Sequence, residues 1–253
     1  MNDMLERLQH SQQQQNRFVA DASHELRSPV AGILAQLDVA AQYPDRVDVG
    51  ELLPKLHAEA RRTQGIVEDL LYLSRLEGND LPPPDYLSVA QAIDVVHSEV
   101  ERHQALGSTP EVTLDQSQLV FDPTDTDGRL SLSQSQLGRV MQNLVGNAVR
   151  HSGGRIKVSL KVDPPKTRGR HLTVRVADDG PGISAQDRER IFDRFVRLDE
   201  ARSRDQGGSG LGLSITQELV SRAGGTIAVV PATDESYSGA NFEVRLPVAS
   251  PTI

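Results

Sequence analysis

Chemistry in this chain concentrates in a few short stretches of its 253 residues. The first runs from Phe18 to Pro29 and sets His24 beside Glu25. Leu5, Leu8, Gln12, Gln15, Val19, Ala22, Leu26 and Pro29 recur at alternating steps of three and four, the seam of an amphipathic helix. His24 lies two residues from both Ala22 and Leu26, about 200° around the helix from each, and so points into solvent. That disfavours a core histidine satisfied by neighbours; by position alone, a merely solvated histidine is the better reading. Glu25 could hydrogen-bond the ring or take its proton, which is what a nucleophilic imidazole requires. Pro29 frees the carbonyl of Glu25 and is expected to bend the helix one turn past the histidine.

Three further stretches suit a phosphorylated ligand. Asn143, Asn147 and Arg150 or His151 fall at helical steps, so amides and cations share one face. An Asn oxygen suits Mg2+, which keeps several waters and bridges phosphates; an ordinary polar helix face would read the same way. Asp178-Asp179-Gly180-Pro181-Gly182 follows the strand-like run Leu172 to Val176. A carboxylate at a strand end can accept from the exocyclic amine of adenine, and Gly180 and Gly182 let a flat ring approach the backbone. A simple turn is the competing reading. Gly207 to Leu213, containing Gly208, Gly210, Leu211 and Gly212, opens a helix whose first N–H groups could face phosphates. It is neither a Walker loop nor preceded by the strand a dinucleotide fold demands. Ile191 to Arg197 adds an aromatic anchor and arginines able to reach phosphates, and Asp199 to Gln206 reads as a lid.

The elements that must carry these groups divide the chain. Helical periodicity runs to about Gly78, broken at Tyr43-Pro44-Asp45. A second helix is predicted over Glu51 to Glu77, with Leu52, Leu56, Ile66, Leu70 and Leu73 on one side and Pro54 in its first turn. Such a hairpin buries little alone, so dimerisation into a four-helix bundle is its natural completion. Pro82-Pro83-Pro84 cannot continue a helix, which places a linker at 79–88 and a domain boundary within it. Beyond it, helices are expected over Val89 to Arg102, Ser133 to His151 and Leu211 to Ala223. Strands are expected over Ile156 to Val162, Leu172 to Val176, Thr226 to Val230 and Phe242 to Leu246. Elements alternating without regular βαβ spacing predict an α/β sandwich, a mixed sheet with helices on one face.

Composition narrows the function. With 27 Lys and Arg against 35 Asp and Glu, the net charge is -8, which argues against a nucleic-acid partner. The absence of cysteine removes thiolate zinc sites and thiol nucleophiles. Aromatic residues make up only 4%, too few for a stacking platform for single strands.

Each stretch alone is a modest signal, but their order and separation are not. Together they resemble the cytoplasmic core of a bacterial sensor histidine kinase over nearly the whole chain. His24 and its flanks look like the H box, Asn143 to His151 the N box, and Asp178 to Gly182 the G1 box. Ile191 to Arg197 looks like the F box and Gly208 to Leu213 the G2 box. The resemblance implies an α+β protein: residues 17–78 as a dimerisation and histidine-phosphotransfer hairpin, and 89–253 as a Bergerat-fold, GHKL-type ATP-binding domain. It implies that His24 attacks the γ-phosphate of ATP with Glu25 as base, that Asp178 binds the adenine amine and that Asn147 ligates Mg2+. Asn143, Arg150, His151 and Arg197 would approach the phosphates, and Gly208, Gly210 and Gly212, beside Leu211, would shape the lid hinge. The phosphoryl group would pass to an aspartate of a response regulator. Ser28 stands where the family's Thr or Asn supports dephosphorylation of that regulator. Residues 1–16 resemble the end of a HAMP relay helix, which implies the cytoplasmic portion of an inner-membrane receptor working as a homodimer. Two alternatives compete: a degenerate kinase that binds nucleotide and signals by dimer shape, and a Bergerat-fold ATPase.

Overall fold

The computed structural model describes residues 2–78, 86–105, 110–119, 128–164, 167–198 and 209–249, with 2–18 and 77 described through the backbone alone. The chain forms two compact units: Met1–Asn79 with Arg194–Leu211, and Asp80–Asp193 with Gly212–Ile253.

The first unit is a helical hairpin. Helix α1 spans Asn2–Gln42 and continues through Pro29. It stops before Pro44, which opens a single 3-10 turn, Pro44–Arg46. Helix α2 spans Val49–Glu77, capped by the Asp48 carboxylate, which accepts the Gly50 N–H. This start is earlier than the sequence predicts, so Pro54 falls in the second turn instead of the first. There the missing N–H leaves the Gly50 carbonyl without its helical donor, and the exposure of Gly50 lets water serve it.

The two helices pack along each other. Ile66 and Leu73 are buried, and Leu52, Leu56 and Leu70 are partly covered, as the periodicity implies. A second apolar stripe stays open: Val30, Leu34 and Leu37 on α1, with Leu53, Val67 and Leu71 on α2, Leu34 being 55% exposed and Leu71 56%. These residues repeat at helical spacing, so each helix presents an unburied apolar edge.

The second unit is a layered α/β sandwich. Strand β1 (Leu87–Ser88) pairs antiparallel with β3 (Arg129–Leu130). Helix α3 covers Val89–Ala105, and strand β2 covers Glu111–Asp115. Helix α4 (Gln134–His151) starts at a capping box, in which Ser133 Oγ accepts the Gln136 N–H and Gln136 accepts the Ser133 N–H. Arg150 and His151 fall in its last turn, where cations suit the dipole. Strands β4 (Arg155–Val162) and β5 (His171–Asp178), helix α5 (Gly212–Arg222), and strands β6 (Thr226–Val229) and β7 (Asn241–Pro247) complete it.

The main sheet has the order β2-β4-β5-β7-β6, with β2 parallel to β4 and the other pairs antiparallel. Alternation decides which face is covered. Ile156, Val158, Leu160, Leu172, Val174, Val176, Phe242, Val244 and Leu246 are all buried, whereas Lys157, Ser159, Thr173, Arg175, Glu243 and Arg245 on the other face are not. Helix α4 packs on β4 and β5, α5 on β6 and β7, and α3 on β2, so the helices cover the apolar face. The predicted strands and helices are all present. The sequence reading missed β2, whose two apolar residues make too short an alternation, and the two-residue strands β1 and β3.

Candidate functional site

In the first unit, His24 stands exposed on α1 and makes no hydrogen bond with a described residue. Glu25 is half-buried and does not bond the ring; its Oε2 lies 3.9 Å from Arg197 Nη1. Ser28 is exposed one turn on, and Pro29 is buried. Arg197 thus stands beside the carboxylate next to the histidine, a neighbour that chain order does not reveal.

The same unit holds the described part of the glycine-rich stretch. Gly210 has φ +70°, and a Cβ there would lie 2.8 Å from Phe195 Cα, so this close approach requires glycine. Phe195, itself at φ +62°, donates its N–H to the Gly210 carbonyl at 3.0 Å. Ser209 Oγ donates to Asp69 Oδ2 at 2.8 Å and accepts the N–H of Leu211, which is fully buried. Gly208 and the expected lid, Asp199 to Gln206, lie outside the described residues.

In the second unit, β5 ends at Asp178, which is 2% exposed. Its Oδ1 accepts N–H groups from Gly180 at 2.9 Å and Ala240 at 3.0 Å, and Oδ2 has no described partner. The backbone around it is closed by reciprocal bonds: Asp178 N–H to the Ala240 carbonyl, and Gly239 N–H to the Asp178 carbonyl. Burial pushes the Asp178 carboxyl above the usual range, against the two amides and the nearby His151. A buried carboxylate with one oxygen saturated and one free is built to accept a hydrogen bond from an amine.

The glycines beside Asp178 form a cradle. A Cβ at Gly239 would collide with Asp178 Oδ1 and the Gly180 nitrogen, and one at Gly180 with the His151 carbonyl. Gly182, at φ +76°, faces Gly239. Gly239 was not legible from sequence, since it precedes β7 in an ordinary turn. A Gly239→Ala variant is therefore expected to lose about 2 kcal/mol of stability, as overpacked backbone does, and its nucleotide affinity with it. Denaturant melts and ATP titration check this.

Helix α4 supplies the other polar group. Asn143 Nδ2 donates to the Gly212 carbonyl at 2.9 Å and to Thr216 Oγ1 at 3.2 Å, tying α4 to the first turn of α5. A Cβ at Gly212 would lie 3.2 Å from Asn143 Oδ1, a tight contact that the amide would have to relieve by a shift of a few tenths of an ångström. Thr216 is a partner the sequence reading missed. Asn147, one turn along, is part-exposed and its amide has no described partner. Arg150 and His151 are exposed at the end of the helix. Among the described residues no group of three His, Cys, Asp or Glu could hold a metal. The Asn147 amide oxygen is the kind of single donor that a cation keeping most of its waters, such as Mg2+, can take beside phosphates.

On the opposite, polar face of the sheet is a depression of about 790 Å3, lined by residues such as Asp115, Lys157, Arg175 and Glu243. Several of its charges pair across the face. Lys157 lies 3.1 Å from Asp115 and 3.5 Å from Asp234, and Arg175 lies 2.5 Å from Glu243. The Ser117 amide and hydroxyl, with Lys157, hold the Asp115 carboxyl down to about 2. Size alone does not make this the site: it is a solvated sheet face whose Lys157 and Arg175 are engaged by Asp115, Asp234 and Glu243.

Anchoring of the remaining motif is visible in Phe192, whose ring meets Phe242 edge-on at 6.4 Å between centroids. Both rings are buried.

Comparison with known proteins agrees with this arrangement. Residues 14–79 match the His Kinase A (phospho-acceptor) domain, and residues 132–250 match the histidine kinase-, DNA gyrase B-, and HSP90-like ATPase family. The swarming motility regulation sensor protein RssA of Serratia marcescens is 31% identical over 98% of this chain and 50% of its own length. The sensor-like histidine kinase SenX3 of Mycolicibacterium smegmatis is 33% identical over 91% of this chain and 56% of its own. The chain thus spans about half the length of these curated relatives. The Acinetobacter baumannii histidine kinase AdeS shares the fold, with a TM-score of 0.63 over 90% of this chain and 98% of that one at 20% identity. With a phospho-acceptor helix hairpin followed by a Bergerat-type ATPase sheet, this chain belongs to the two-component sensor histidine kinases.

Proposed function

We propose that this chain is an ATP-dependent protein-histidine kinase that phosphorylates its own His24 and passes the phosphoryl group to an aspartate of a response regulator. The observation that carries it is the pairing, in one chain, of an unengaged, exposed imidazole with a buried carboxylate holding one oxygen free. Asp178 Oδ2 takes the adenine amine while the Gly239 and Gly180 backbones flank it. Asn147 would hold Mg2+, which when bound would supply positive charge against that developing on the phosphates. Arg150 and His151 lie at the phosphate end, and Asn143 fixes the first turn of α5 so that its N–H groups are presented there. Gly208, Gly210 and Gly212, with Leu211, shape the lid hinge.

An imidazole nitrogen of His24 forms the new N–P bond as the β–γ bridging P–O bond breaks and ADP leaves. The proton of the other ring nitrogen passes to Glu25, the base. Arg197 is a neighbour of that base and, on the same reading, a phosphate ligand. Ser28 would orient water for dephosphorylation of the regulator.

The open apolar stripe supports a homodimer through a four-helix bundle. A Leu34→Glu/Leu71→Glu double variant is expected to sediment as a monomer at concentrations where the parent is a dimer, its dimerisation weakened at least about 100-fold by the burial lost. The same reading makes residues 1–16 the end of a signalling helix, 17–78 the phosphotransfer hairpin and 89–253 the ATP-binding domain of a membrane receptor. No helix described here is long and apolar enough to cross a membrane itself. Incubation with γ-labelled ATP and Mg2+ should yield acid-labile, base-stable phosphate on the chain, transferable to a receiver domain. Steady ATP hydrolysis without protein-bound label would overturn the reading.

A further inference from the structure

We propose that Asp179 is a positioning residue of the nucleotide site: it pins the turn leaving α4 to the strand end that carries Asp178, and so sets the spacing between the phosphate half and the adenine half. The proposal rests on the nucleotide-site reading above. Asp179 touches no reacting group, and its effect runs through the two elements it joins.

The geometry is unusually complete for a surface turn. Asp179 Oδ1 accepts three successive backbone N–H groups, from Gly153 at 2.8 Å, Gly154 at 3.0 Å and Arg155 at 3.0 Å. Its Oδ2 lies 3.3 Å from Arg155 Nε, and its own N–H donates to the Arg155 carbonyl at 3.3 Å. Three consecutive amides converging on one point form an anion nest, and here the anion is a side chain of the chain itself. The convergence depends on Gly154, at φ +152°. The carboxyl stays ionised: burial pushes it up, but the Arg155 amide and guanidinium and the Gly153 and Gly154 amides outweigh that.

The nest lies directly after α4, which ends at His151, and directly before β4, which starts at Arg155. The helix therefore ends one short turn from the clamp. The clamp in turn sits on the residue after the adenine acceptor. The two elements meet again where Gly180 admits the His151 carbonyl against its Cα. Beyond the β4–β5 ladder, this carboxylate is thus the link that ties the turn after Asn147, Arg150 and His151 directly to the residue beside Asp178. A ligand that spans both halves gains from that link, whereas one that occupies only the adenine half does not.

The test is the ratio of affinities for Mg-ATP and adenosine, measured by calorimetry on the whole chain. Asp179→Ala is expected to weaken Mg-ATP about 10-fold and adenosine less than about twofold, narrowing the ratio about 10-fold. Asp179→Asn keeps the oxygen that accepts the three amides and should keep the ratio within about threefold of the parent. Asp179→Ser, whose shorter hydroxyl reaches at most one amide, gives the same comparison as alanine if the alanine variant does not fold. An unchanged ratio, a parallel loss of both ligands or an asparagine variant as defective as alanine would overturn the proposal. Asp178→Asn, measured alongside, should lose both ligands. If it binds both as the parent does, the site reading fails and takes the proposal with it. Loss in Asp178→Asn with an unchanged ratio in Asp179→Ala refutes the clamp alone.

Discussion

A His24→Gln variant is expected to keep its fold and its ATP affinity and to accept no acid-labile phosphate. His24 is exposed and holds no described partner, so its replacement changes stability by no more than about 0.5 kcal/mol, as for most surface positions. Glutamine matches the imidazole in reach but has no nucleophilic lone pair, so the fall in phosphorylation should exceed about 10³-fold. Glu25→Gln makes a graded control. It leaves the nucleophile in place and removes the proton acceptor, a loss of about 10²-fold, the usual contribution of a positioned base. Equal label on the parent and the His24→Gln variant would move the reaction to another residue. Thermal melts with and without nucleotide separate this from a folding defect.

The second large effect is expected at Asp178. In Asp178→Asn, the amide oxygen can still accept from Gly180 and Ala240, which keeps the turn, but a donor now replaces the free acceptor Oδ2. Set against the exocyclic amine of adenine, that is donor against donor, and ATP affinity should fall about 10²–10³-fold, roughly 3–4 kcal/mol.

Stability should respond in the opposite sense. Because burial raises the folded pKa of Asp178 above its unfolded value, its favourable contribution is complete below the unfolded pKa and is lost as pH rises through the folded one. The neutral asparagine has no such loss. The melting temperature of the variant minus that of the parent should therefore increase from about pH 4 toward neutrality. A difference independent of pH would show that Asp178 is not the strained acid its surroundings imply. Asp115, Asp179 and Asp234, held low by hydrogen bonds and cations, act in the other direction and cancel in this comparison.

How much of this could be read from sequence depended on whether a feature is carried by side-chain type or by backbone. The central strands β4, β5 and β7 were legible because one face is apolar at every second residue, and α4 because its capping residues and apolar stripe agree. Strand β2 was not, because an edge strand with only Val112 and Leu114 apolar gives too little alternation. Asp178 could be picked out as an acceptor by type and place. What makes it specific could not: the amide saturating its Oδ1 belongs to Ala240, 62 residues away, and any residue but proline could supply it. Gly239, the Thr216 hydroxyl behind Asn143 and the Asp69 carboxylate behind Ser209 are hidden for the same reason, being distant in sequence from the groups they serve. Nor does chain order reveal that Arg194–Leu211 groups with the hairpin.

Strand β7 is the last strand in sequence, yet it lies inside the sheet, between β5 and β6. This has a consequence for synthesis. The contacts between α1 and α2 join helices that are neighbours in sequence and are available as soon as α2 has left the ribosome. The sheet cannot close until Pro247 has emerged, because β5 and β6 are both waiting for the same late partner. Gly239 and Ala240, which complete the surroundings of Asp178, arrive with it. Non-local closure of this kind is the slow step in folding. A nascent chain therefore displays His24 well before the proposed nucleotide site can form, and that site is completed in a single late event instead of by degrees.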